Sequence, residues 1–135
     1  MADNLYVHFP FCRRKCTYCA LHSRAGANAE KRRAYVAALA EAVRRLCEQM
    51  TDGETFSTVY FGGGSPALCD LRPLFDALRP RLSVLPAPGT RHQAPGTRRQ
   101  APGAEFTVEL HPLDVTDDLL KALRDGGVNR ISMGV

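Results

Sequence analysis

The sequence has no apolar run approaching the roughly 18 residues of a membrane-spanning helix. Its first residues, Met1-Ala2-Asp3-Asn4, carry no basic stretch, apolar core or small-residue cleavage site of a secretory leader. A soluble, cytoplasmic protein without a transmembrane segment is the expectation. A disulfide framework is also missing, because the five cysteines are odd in number and three of them, Cys12, Cys16 and Cys19, crowd into one short stretch. The glycine run Gly62-Gly63-Gly64-Ser65-Pro66 lacks both the Gly-Lys-Ser/Thr of a phosphate loop and the spacing of a dinucleotide turn, so nucleotide phosphates are not indicated. A basic surface is nearly absent too. The net charge is +4, but Arg91, Arg98 and Arg99 all fall in one low-complexity segment, and the remainder is close to neutral. No nucleic-acid partner is expected.

What is present is a regular alternation of strand and helix patterns over a length suited to one compact unit of 135 residues. Leu5 to Phe9 is a β-branched and aromatic run that stops at Pro10, with Tyr6 and His8 on one face. From Lys31 to Met50, Val36, Leu39, Val43, Leu46, Cys47 and Met50 recur at helical spacing, and Gly53 follows. Thr58 to Phe61 reads as a strand ended by the glycine run, and Leu71 to Leu82 as a helix with Pro73 in its first turn. Phe106 to Leu110 is a third strand. Thr116 caps a helix that runs to Asp125 before Gly126-Gly127, and Arg130 to Val135 is a fourth strand. The order β-α-β-α-β-α-β, with crossovers long enough to return each strand parallel to the last, defines a parallel α/β fold. It is either an open doubly wound sheet or part of a barrel.

Residues 86–104 interrupt this order as a low-complexity loop insertion. Ala87-Pro88-Gly89-Thr90-Arg91-His92-Gln93 is repeated almost unchanged from Ala94 to Gln100, and Ala101-Pro102-Gly103 begins a third copy. Pro and Gly in every copy forbid a helix, and no copy offers apolar residues to bury, so a solvated loop is expected rather than a basic binding tail. Cys47, in a helical stripe, and Cys69, just before a helix, are expected to be small buried hydrophobes.

Three features at strand ends carry possible chemistry. Cys12, Cys16 and Cys19 follow the first strand at a spacing that lets one loop turn three thiolates toward a common point. Three sulfurs can hold three irons of a cubane and leave the fourth open, and Arg13, Arg14 and Lys15 would favour the thiolates. A zinc site completed by His8 or His22 is the alternative. The glycine run after the second strand would let a ligand approach the backbone closely. Glu109, at the end of the third strand with Thr107 on its face, is costly if it points inward without a polar partner; by itself it would read as an exposed residue capping the next helix. All three features fall at the carboxyl ends of parallel strands, where an α/β barrel places its catalytic rim.

Leu5-Tyr6-Val7-His8-Phe9-Pro10-Phe11-Cys12 with Cys16, Tyr18 and Cys19, Val59 to Pro66, Val108-Glu109-Leu110-His111-Pro112 and Gly127 to Val135 together resemble the radical S-adenosylmethionine family of oxygen-independent coproporphyrinogen III oxidases and the related heme chaperone HemW. The resemblance covers nearly the whole chain apart from the insertion. It implies a partial (β/α)6 barrel, with 1–135 as its N-terminal part, cut off after the fourth strand. It also implies a [4Fe-4S] cluster on Cys12, Cys16 and Cys19, and S-adenosylmethionine contacted by Tyr6, Tyr18, Gly63, Gly64 and Glu109. Heme or a porphyrin is then the further ligand, with heme-accepting proteins as partners of the chaperone branch.

Leu21 stands where the oxidase branch carries a further Cys, and the first strand begins at once without a longer extension; both features point toward the chaperone branch. Ala20-Leu21-His22-Ser23 departs from the residues common in HemW. The Gln that follows Gly-Val in the family is not reached, so a chain ending at Val135 is expected to be poorly soluble and inactive by itself. No catalytic side chain is assigned.

Overall fold

A computed structural model describes residues 4–13, 24–25, 28–83 and 103–134, with the backbone alone at 24–25. Cys16, Tyr18, Cys19, Leu21, His22 and the repeats Ala87–Gln93 and Ala94–Gln100 lie outside the described residues. The elements follow in the order β1 (Asn4–Phe9), β2 (Phe11–Cys12), β3 (Arg24–Ala25), α1 (Ala29–Gln49), β4 (Thr58–Gly63), α2 (Arg72–Leu78), β5 (Glu105–Leu110), α3 (Asp117–Asp125) and β6 (Arg130–Met133). Four strands form one sheet in the order β1-β4-β5-β6, every neighbour parallel. The expected parallel α/β class is therefore present, and all four expected strands are in place.

Alternation along the strands sorts the sheet into two unlike faces. One carries Val7, Phe9, Val59, Phe61, Phe106, Val108 and Leu110, all buried in a single core with Val36, Ala40, Val43 and Cys47 of α1, Leu74, Phe75 and Leu78 of α2, and Leu123 of α3. Its centre is aromatic. Phe61 meets Phe106 edge-on with ring centroids 4.9 Å apart, and Phe75 stacks over Phe61 at 6.2 Å. The opposite face carries Tyr6, His8, Tyr60, Gly62, Thr107 and Glu109. Among the described residues, all three helices pack on the apolar face alone. Sequential strand order without reversal, and helices on one side, make this a segment of a barrel wall rather than a doubly wound sheet with its switch point.

Helix ends account for the differences from the sequence reading. α1 begins before Lys31, because Asn28 caps it: its Oδ1 accepts a hydrogen bond from the Lys31 amide at 2.8 Å. α2 stops at Leu78 instead of reaching Leu82, since Pro80 has no amide proton to continue the ladder, and Arg79–Arg81 tightens into a 3-10 turn. α3 ends in a Schellman motif, with Gly127 at φ +91°, the Gly127 amide bonded to the Arg124 carbonyl and the Val128 amide to that of Leu123, both at 3.0 Å. Thr116 caps its start by accepting from the Leu119 amide. Cys47 and Cys69 are buried as expected, and burial pushes the Cys69 thiol up to about 11.

One side chain closes the far end of α1. The Arg81 guanidinium donates to the carbonyls of Cys47, Met50, Thr51 and Glu54 at 2.8 to 3.3 Å, so it satisfies terminal carbonyls that no basic residue in the last turn of α1 reaches. Replacing Arg81→Ala strips these charge-assisted bonds. Denaturant unfolding is expected to show a loss of about 1.5–3 kcal/mol, the range for hydrogen bonds to a charged group; a loss within experimental scatter would show that water replaces the guanidinium without penalty.

Candidate functional site

The carboxyl ends of β1, β4 and β5 converge because of the register between them. His8 and Phe9 stand opposite Gly62 and Gly63, while Phe61 stands opposite Val108, one residue before Glu109. Glu109 is half-buried and fully engaged: Tyr60 donates its hydroxyl to Oε1 at 2.6 Å, and the Gly63 amide donates to Oε2 at 3.2 Å. These two bonds offset the cost of placing a carboxylate on this face. Glu109 does not cap the next helix, a role taken by Thr116. Gly62 leaves the room that the Tyr60 ring and Glu109 occupy, since a β-carbon there would lie 2.7 Å from Tyr60 Cε1 and 3.1 Å from the Glu109 carboxyl carbon.

Tyr6, 57% exposed, lies along the same face. Its ring stacks on Tyr60 with centroids 6.0 Å apart, and its hydroxyl lies 3.1 Å from His8 Nδ1. Burial and the charge of Glu109 raise the Tyr6 hydroxyl above its ordinary value, and for Tyr60 the hydrogen bond to Glu109 is the leading cause of the same shift. Both tyrosines are neutral donors near pH 7. Tyr60 was not assigned to the site from sequence, and His8 was considered only as a ligand of the zinc alternative; strand alternation back from Gly62 was the signal that places Tyr60 on the Glu109 face.

Gly63 and Gly64 seat neighbouring protein atoms. Gly63 has φ +104°, and a β-carbon on it would meet the His8 ring at 2.6 Å. A β-carbon on Gly64 would strike the Phe11 carbonyl oxygen and come within 2.9 Å of Cys12 Sγ. The Gly64 amide donates to the Phe9 carbonyl and the Ser65 amide to the Phe11 carbonyl, each at 2.6 Å. From α1, Tyr35 donates to the His8 carbonyl at 2.7 Å and its ring meets Phe11 edge-on at 5.1 Å. β2 then pairs with β3, Cys12 opposite Ala25, which brings the two ends of the Cys segment together at its base. Cys12 is thus fixed at the rim beside Gly64.

Of the expected site residues, the structure brings Cys12, Gly63, Gly64, Glu109 and Tyr6 to one rim. Cys16, Cys19 and Tyr18 lie outside the described residues, and among the described residues no three His, Cys, Asp or Glu side chains are grouped to hold a metal ion. The described donor set fits the implied cofactors: a thiol at the rim, a glycine backbone packed directly against it and a carboxylate with two tyrosines on the same face of the sheet. A separate cleft of about 340 Å³ lies between α2 and α3 on the helix side, bounded by Arg72, Asp76, Arg79, Asp118, Lys121 and Asp125, and offers no thiol or imidazole.

Comparison with known proteins names the class. The model of the Radical SAM superfamily matches residues 6–135, and the chain belongs to that superfamily. Within it, the chain is similar to the oxygen-independent coproporphyrinogen III oxidase of Paracoccus denitrificans, 33% identical over 99% of this chain and 27% of the relative. It is equally similar to HemW-type proteins: the heme chaperone HemW of Lactococcus lactis is 31% identical over 98% of this chain and 30% of that protein. The structure of coproporphyrinogen III oxidase (HemN) from Escherichia coli, a radical SAM enzyme, superposes with a TM-score of 0.74 at 27% identity, over 99% of this chain and 28% of that one. The chain therefore spans between a quarter and a third of the length of these relatives. A structural zinc module finds no support in these matches. Among the described residues, no helix is long and apolar enough to cross a membrane.

Tyr60→Phe tests the Glu109 cradle. It should cost about 1 kcal/mol of stability at neutral pH, the net worth of one hydrogen bond. Because the folded hydroxyl ionises above 10.0, its contribution is complete below that value and is lost as pH rises through the higher folded one. Spectroscopic tyrosine titration and denaturation in parallel should show one fewer late-ionising group and a flatter alkaline stability profile in the variant.

Proposed function

We propose that this chain forms the cluster- and S-adenosylmethionine-binding part of a radical SAM protein that handles heme or a porphyrin. Cys12, Cys16 and Cys19 would hold a [4Fe-4S] cluster, and Tyr6, Tyr18, Gly63, Gly64 and Glu109 would contact S-adenosylmethionine. The observation that carries the reading is the seat of Cys12: its thiol lies against Gly64 on the same rim that presents Glu109. A cluster whose fourth iron lacks a thiolate supplies one-electron chemistry to a ligand bound there.

The chain's own residues prepare that place. Glu109, with Oε2 held by the Gly63 amide, offers a carboxylate suited to an ammonium group. Tyr6 and Tyr60 supply a flat aromatic surface beside it. His8 lies between this surface and the Cys12 strand. No nucleic-acid partner belongs to this reading. The reduced thiols of the reading suit a cytoplasmic location.

Between the two named activities of the relatives, heme binding and delivery is favoured over oxidation of coproporphyrinogen, because Leu21 occupies the position of the further cysteine of the oxidase branch. The oxidase is the second reading, favoured by the superposition on HemN. Heme-accepting proteins are the partners of the first.

Anaerobic reconstitution of the full chain should give about four irons per chain with matching sulfide, and Cys12→Ala should lower that content. One zinc and no sulfide would overturn the cluster. Heme titration should then show stoichiometric retention without decarboxylation of coproporphyrinogen; turnover of coproporphyrinogen would replace the chaperone reading with the oxidase.

A further inference from the structure

The base of the Cys segment is held by backbone and ring contacts from β4 and α1. A contact of another kind joins it to the strand that bears Glu109. Arg13 directly follows Cys12, and its Nε lies 2.6 Å from Asp114 Oδ1. Asp114 ends the 3-10 turn Pro112–Asp114, just after β5. The two side chains are unlike in their surroundings: that of Asp114 is 3% exposed and that of Arg13 is 68% exposed.

A carboxylate buried to this degree is costly unless a charge or a hydrogen bond compensates it. Among the described residues, Asp114 Oδ1 accepts no well-aligned hydrogen bond, so the guanidinium of Arg13 provides the compensation. The turn itself is fixed independently, since the Asp114 amide donates to the His111 carbonyl at 2.9 Å and His111 Nδ1 accepts from the Leu113 amide at 3.2 Å. Asp114 is therefore a fixed post, and Arg13 is the mobile member drawn onto it.

We propose that Arg13 and Asp114 form a latch that sets the position of Cys12 relative to the Glu109 strand. They are positioning residues, acting through the loop and touching neither cluster nor S-adenosylmethionine. The inference rests on the reading of Cys12 as a cluster ligand. β4 holds the Cys segment from its glycine side; the latch holds it from the β5 side, so the thiol is fixed between the two strands. Supporting groups around metal ligands act in this way, and their loss weakens metal retention.

The test uses the full chain reconstituted under anaerobic conditions. Arg13→Gln and Asp114→Asn should each release iron to a ferrous chelator on the order of tenfold faster than wild type, the usual effect of removing an outer-shell partner. The double variant should be no worse than Asp114→Asn alone, because both changes break one interaction. Arg13→Lys keeps the charge and should restore most of the retention. The paramagnetic spectrum of the reduced cluster should shift in Arg13→Gln and return to the wild-type form in Arg13→Lys, and the melting temperature of the metal-free Arg13→Gln protein should fall, because the buried Asp114 carboxylate loses its compensating charge. Equal iron release from Arg13→Gln and wild type, or additive effects in the double variant, would overturn the latch. A wild-type chain that takes up no iron and sulfide would overturn the cluster reading beneath it.

Discussion

Everything at the rim depends on the register of β4 between β1 and β5. Parallel pairing sets His8 beside Gly62 and Phe9 beside Gly63 on one flank, and on the other sets Phe61 beside Val108. A slip of β4 by one residue would turn Tyr60 into the helix layer, away from Glu109, and drive Phe61 onto the opposite face, because side chains alternate between faces. The aromatic cluster of Phe61, Phe75 and Phe106 makes such a slip prohibitive. The apolar face therefore specifies the polar one, and the core residues Phe9 and Phe11 reach the rim through their carbonyls.

The glycine run is a consequence of that register as much as a ligand edge. With Phe9 and Phe11 carbonyls bonded to the Gly64 and Ser65 amides, the Cys segment runs directly over the end of β4, and no β-carbon fits between them at Gly64. Gly62 has a different reason, leaving space for the Glu109 carboxylate, and Gly63 has a third, a left-handed backbone beneath the His8 ring. Three adjacent glycines thus answer three separate steric demands.

The fold class was legible because strand and helix periodicities were clean and their punctuation was conventional: Pro10 after β1, the glycine run at the end of β4, Thr116 and Gly127 around α3. The ends of α1 and α2 were less so. Asn28 lies before any apolar residue of the helical stripe, and the effect of Pro80 depends on the tight turn that forms there. At the site, Cys12 and Glu109 were visible as residue types with chemistry at strand ends. Tyr60 was hidden by looking like an ordinary strand aromatic, and its role emerges only when Glu109, 49 residues later, is brought beside it. Arg13 read as one of three basic residues near thiolates, and nothing in the sequence singled out Asp114; their pairing is a matter of loop geometry that no local pattern encodes.

The stacked Tyr6 and Tyr60 rings have an optical consequence. The sequence contains no tryptophan and four tyrosines. Tyr60 bonds Glu109 and carries Tyr6 stacked on its other side, Tyr35 donates to the strand leading to Cys12, and Tyr18 falls within the Cys segment of the sequence. With no indole to absorb their emission, every tyrosine among the described residues emits from in or beside the rim. Whatever binds there is reported by the light of the chain itself, without a label.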